Sequence, residues 1–71
     1  MSGPNAELLR HLATRPVWTR AAFDSLANSL GVLPNGALES LNDAAFDTCG
    51  ESLIEGDDVL EINPDVLQEL L

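Results

Sequence analysis

Gly50-Glu51-Ser52-Leu53-Ile54-Glu55-Gly56-Asp57-Asp58-Val59-Leu60-Glu61-Ile62-Asn63-Pro64 is the stretch on which the fold turns. Upstream of it the apolar residues recur at helical spacing. Within it they fall into two short β-prone runs, residues 52–55 and 59–62. Gly56-Asp57-Asp58 between the runs reads as a hairpin turn, with glycine supplying the unusual φ. Asn63 followed by Pro64 starts a helix again, an N-cap with proline in the first position. Val66, Leu67, Leu70 and Leu71 give that last helix its apolar face.

Working back toward the N-terminus, three helices precede this hairpin. Residues 1–4 read as a disordered lead, and residues 5–71 as one domain. Asn5 is a fair N-cap, and Leu8, Leu9 and Leu12 form the face of a short first helix. It ends near Thr14, because Arg15 precedes Pro16 and is pushed out of the α region. Pro16-Val17-Trp18 is extended. Thr19 caps the second helix, and Trp18 and Phe23 fall at the two positions that pack as a hydrophobic staple. Phe23, Leu26, Ala27 and Leu30 continue that face to Gly31, which suits a left-handed end.

Pro34-Asn35-Gly36 reads as a turn into a third helix over residues 36–49. Its expected buried face is Leu38, Leu41, Ala45 and Cys49, with Ala37, Ala44 and Phe46 at the margins. The expected core is Leu12, Trp18, Phe23, Leu26, Leu30, Leu38, Leu41, Phe46, Leu53 and Ile62. Three helices, an extended piece before the second, a hairpin and a further helix form a mainly α chain with a small β-hairpin, an α+β class. The order is that of a winged helix, with the third helix in the recognition position and residues 53–62 as the wing. A plain helical bundle and an acyl-carrier-like four-helix fold are the competing topologies.

The charge is lopsided. Twelve acidic residues against three cationic ones give a net charge of -9 in 71 residues. Arg10, Arg15 and Arg20 are the only Lys or Arg, so the eleven carboxylates from Asp24 onward face no cation in sequence. Nucleic-acid affinity rests on cations displacing counterions from phosphate, and anionic membranes select for the same cations. Neither partner is expected. The single cysteine excludes an intramolecular disulfide and the usual zinc frameworks. No run approaches the ~18 apolar residues of a membrane span, and no signal segment opens the chain, so the expected location is the cytoplasm.

Candidate chemistry is sparse. Glu55, Asp57, Asp58 and Glu61 cluster around the hairpin, and hard cations take oxygen ligands. Asp57, Asp58 and Glu61 are therefore weak candidates for Ca²⁺ or Mg²⁺, although the spacing of an EF-hand loop is missing. A solvated acidic tip is the plainer reading. Glu39, Asp43 and Asp47 step by four along the third helix. They are either an ordinary solvated face, a surface for a basic protein groove, or an imitation of a phosphate backbone. Asp24-Ser25-Leu26 spells the tripeptide that carries phosphopantetheine in acyl carriers, but Ser25 falls inside a helix rather than at its start. His11 and Cys49 show no activated-thiol context. No cofactor is expected, and the chain reads as a non-enzyme.

The run from Trp18 to Leu71 resembles the C-terminal module of TerB-type tellurite-resistance proteins, the TerB-C domain. The likeness lies in Phe23-x-x-Leu26-Ala27 and Leu30-Gly31-Val32-Leu33-Pro34-x-Gly36-Ala37-Leu38-Glu39. It continues through Leu41-Asn42-Asp43-x-Ala45-Phe46-Asp47, Gly50-Glu51-x-Leu53-Ile54-Glu55 and Ile62-Asn63-Pro64-Asp65-Val66. None of these strings is a catalytic signature. The resemblance implies a domain at the end of larger bacterial proteins, downstream of a TerB metal-binding helical domain, in stress-response and phage-defence systems. This chain carries the likeness without a TerB domain ahead of it. Both a free-standing relative and a part of a longer protein fit. The expected function is a non-catalytic acidic interaction module whose partner, a protein or neighbouring domain, has a basic or apolar groove. Its expected interface residues are Glu39, Asp43, Asp47, Leu70 and Leu71. A divalent-metal domain, a nucleic-acid mimic and an acyl carrier are the alternatives.

Overall fold

Prolines open three of the four helices, each in the first turn, where a missing N–H breaks no intrahelical bond. Helix α1 is Pro4–Leu12, α3 is Pro34–Cys49 and α4 is Pro64–Leu70. Helix α2, Arg20–Ser29, starts instead on Thr19, whose Oγ1 accepts from the Ala22 N–H at 3.1 Å. The strands are β1 (Val17–Thr19), β2 (Ile54–Glu55) and β3 (Val59–Ile62). These elements come from a computed structural model that describes residues 3–71.

Two helix starts differ from the sequence reading, and proline is the reason for both. Asn5 is not the first cap, since α1 already begins at Pro4 with Gly3 as N-cap. The expected disordered lead therefore covers Met1 and Ser2, which lie outside the described residues, and two residues that belong to the helix start. Pro34-Asn35-Gly36 is not a separate turn but the first turn of α3, whose N-cap Leu33 carbonyl accepts from Ala37 N–H at 2.8 Å. Asn63 caps α4 as expected, its Oδ1 accepting from the N–H groups of Asp65 and Val66. Gly31 and Gly50 adopt the left-handed φ that ends α2 and α3.

The extended segment before α2 becomes a full member of the sheet. Strand β3 is central, in the order β1-β3-β2, and both pairings are antiparallel. Trp18 stands opposite Leu60, and Ile54 opposite Ile62. The element order α1-β1-α2-α3-β2-β3-α4 with this sheet is the winged-helix arrangement, extended by α4. The paired strands exclude a plain bundle and a four-helix carrier fold. At the hairpin, Gly56 has φ 111°, and a Cβ there would lie 2.0 Å from the Val59 carbonyl oxygen. Only glycine fits.

Every element contributes to one core: Leu8, Leu9 and Leu12 from α1, Trp18 from β1, and Phe23 from α2. Ala37, Leu41 and Ala45 enter from α3, Leu53, Ile54, Leu60 and Ile62 from the wing, and Val66 and Leu67 from α4. Leu26, Leu30 and Leu38, expected inside, are half-buried against it. Phe46 was expected inside too, and there the structure disagrees: it is 54% exposed. The cause is angular. Helix α3 turns its Ala37, Leu41 and Ala45 side inward. At ~100° per residue, Phe46 points about 140° away from Leu41.

Candidate partner interface

Helix α3 presents an outer face of one charge. Glu39, Asp43 and Asp47 are all exposed. No cation stands on α3, and the ion pairs among the described residues involve only Glu7 and Asp24 as acids. Phe46 lies in this row: on a helix it sits roughly 20° from Glu39 around the axis and one turn beyond Asp43. The face is therefore three carboxylates to one side of an exposed ring, which the sequence reading missed by placing Phe46 in the core. The signal was available, because positions 39 and 46 are seven apart and share a side of any helix.

Asn42, at the edge of that face, fixes α3 against the wing. Its amide bonds the backbone of Leu53 and Ile54 at 2.9–3.1 Å. The sequence reading gave it no role. Arg20, at the start of α2, reaches the first turn of α3, donating to Asn35 Oδ1 while its Nε pairs with Asp24 at 2.7 Å. Helix α3 is thus held at its start and at its middle by side-chain hydrogen bonds.

The other acidic set does not converge. Asp57, Asp58 and Glu61 are exposed, as is Glu55. Glu55 and Glu61 sit directly opposite one another across β2 and β3, a like-charge pair that repels. Among the described residues, no three His, Cys, Asp or Glu side chains stand close enough to hold a metal ion. The backbone of Asp58 has a structural task, its carbonyl accepting from Arg20 N–H at 2.7 Å.

The C-terminal apolar surface is smaller than its composition suggested. Val66 and Leu67 are buried, Leu70 is packed half-buried against the core, and Leu71 is 58% exposed. Leu71, just past the end of α4, is the large apolar side chain most exposed there.

The three arginines are all engaged. Arg10 pairs with Glu7 on α1, and Arg20 with Asp24 and Asn35. Arg15 lies over the Trp18 ring, 3.9 Å from its centroid, while Trp18 Nε1 donates to the Arg15 carbonyl at 3.2 Å. Cys49, half-buried at the end of α3, has its thiol pushed up by burial and then by the nearby charges of Glu69 and Glu51. A thiol held protonated is a poor nucleophile. His11 is exposed on α1, and Ser25 is exposed within α2 rather than at its start.

No helix among the described residues is long and apolar enough to cross a membrane. A search of curated proteins returns no match, and a search of solved structures returns none either. The family model described as the TerB-C domain matches residues 3–71, taking in α1 as well as the stretch that carried the sequence resemblance. With the match running over almost the whole chain, this protein belongs to the TerB-C domain family.

Proposed function

We propose that this domain is a non-catalytic, acidic protein-interaction module working in a bacterial stress-response or phage-defence protein. Its partner is a protein or neighbouring domain with a basic or apolar groove, in the cytoplasm. The observation that carries this reading is the outer face of α3, where Glu39, Asp43 and Asp47 are exposed and make no ion pair among the described residues. The recognition-position helix of a winged helix enters the major groove in DNA binders. Here it would meet phosphate with like charge. Fold and function separate at this point.

Exposed ion pairs contribute about 0–1 kcal/mol each, so the carboxylates act chiefly on association rate and partner choice. Affinity comes from apolar contacts, of which Leu71 offers one. The test is capture from native lysate followed by kinetics with the purified partner. Asp43→Lys slows association and flattens its salt dependence, while dissociation changes little. Sub-micromolar, salt-sensitive binding of the domain to random duplex DNA would overturn the reading. So would residue-specific shifts at Asp57, Asp58 and Glu61 on titration with calcium or magnesium, in favour of a metal-binding domain.

A further inference from the structure

We propose that Phe46 is the anchor of this interface, inserting into an apolar pocket rimmed by arginine or lysine on a protein partner. The proposal rests on the interaction reading above and names its point of contact. The chain has three aromatic side chains, and two are spent on the core: Trp18 is 7% exposed and Phe23 is 0%. Phe46, at 54% exposed, is not part of the core. More than half of its surface is therefore left uncovered in the isolated fold. Aromatic side chains at the centre of a contact, ringed by polar groups, are where binding energy concentrates.

The surroundings select the occupant. Asp43 lies one turn before Phe46, Glu39 two turns before, and Asp47 is its neighbour. A pocket that takes the ring meets these carboxylates along one side of its rim, so that side must be cationic. An arginine there can also stack on the ring face. A second copy of this chain does not fit, because matching faces would bring carboxylate against carboxylate. The ring is also pre-positioned. Asn42, one turn back on the same helix, is fastened to β2 through hydrogen bonds of 2.9–3.1 Å. Docking onto a helix already held in place loses little conformational freedom.

The test replaces Phe46 by the photo-cross-linking analogue p-benzoylphenylalanine in the intact protein in its native cells. Leu71 is replaced in a parallel sample. Irradiation at position 46 is expected to give a protein cross-link whose peptide lies among apolar residues flanked by arginine or lysine. The purified cross-linked protein should then bind the Phe46→Ser variant roughly thirtyfold more weakly, with the Tm of the domain unchanged. A lowered Tm would make Phe46 a structural residue and overturn the proposal. Cross-links from position 46 only to a second copy, to lipid, or to a surface without cations also overturn it. Cross-links from position 71 but not from 46 remove the anchor and leave the interaction module standing. Protein cross-links from neither position remove both.

Discussion

Asn42 satisfies both backbone groups of Ile54 with one side chain: Oδ1 accepts the Ile54 N–H at 2.9 Å, and Nδ2 donates to the Ile54 carbonyl at 3.1 Å. Both groups of a strand residue point off the same edge, so this amide stands where a neighbouring strand would pair. It thereby joins the recognition-position helix to the wing and closes the outer edge of β2 at Ile54, a place where an unpaired strand invites aggregation.

Asn42→Ala should cost about 1–3 kcal/mol, because it leaves part-buried backbone groups without partners. Asn42→Asp keeps the acceptor but loses the donor, so it should retain protection of the Leu53 and Ile54 amides while still destabilising. Urea unfolding with amide hydrogen exchange separates the two variants. Unchanged exchange at Ile54 in Asn42→Ala would show that the clamp is absent in solution.

Phe46 and Leu41 stand five residues apart on α3 and should behave oppositely. Leu41 is fully buried, so Leu41→Ala should lose about 2–5 kcal/mol. Phe46→Ser should change stability by no more than ~0.5 kcal/mol, the usual range for exposed positions. Chemical denaturation of both variants checks this, and a loss at Phe46 comparable to that at Leu41 would place the ring inside.

Trp18 packs its ring in the core and holds Arg15 on its outer side, with the guanidinium 3.9 Å from the ring centroid. Trp18→Ala should cost about 3–5 kcal/mol. Arg15→Ala should cost only about 0.5–1 kcal/mol, the range for an exposed cation–π contact. Native tryptophan emission should be blue-shifted relative to the unfolded chain. Emission at the same wavelength in both states would contradict the burial.

Cys49 supplies a pH dependence whose sign follows from its surroundings. Burial, with Glu69 and Glu51 adding to it, raises the thiol above its ordinary value, so the folded state keeps this proton to higher pH than the unfolded chain. The associated stability is fully present below the unfolded value and is lost as pH rises through the folded one. Alkylation by iodoacetamide at mildly alkaline pH should be slower in the native domain than in urea, and Glu69→Gln should speed it. Equal rates with and without urea would show that the thiol is unperturbed.

Helix caps and the hairpin were legible in the sequence because they depend on neighbours in the chain. Thr19, Gly31, Gly50, Gly56 and the Asn63-Pro64 pair each act within a few residues of themselves, through a side-chain oxygen, a missing Cβ or a missing N–H. The start of α3 was misread because Pro-Asn-Gly satisfies the local rules of a turn and of a helix's first turn alike. Pro34 in the first helical position, with the Leu33 carbonyl taking the Ala37 N–H, made it a helix.

Sequence by itself determined the four helices, the wing, the winged-helix order, the acidic charge and the TerB-C likeness. Periodicity, capping and net charge are sums over local positions and need no third dimension. Tertiary structure alone decided that residues 17–19 are a strand, since a strand exists only through its partner β3. It also decided that Phe46 faces outward while Leu70 turns partly in, and that Asn42 becomes a clamp. The direction a helix turns is set by the elements that bury its other side. For α3 those elements left the acidic row and the phenylalanine together on the surface.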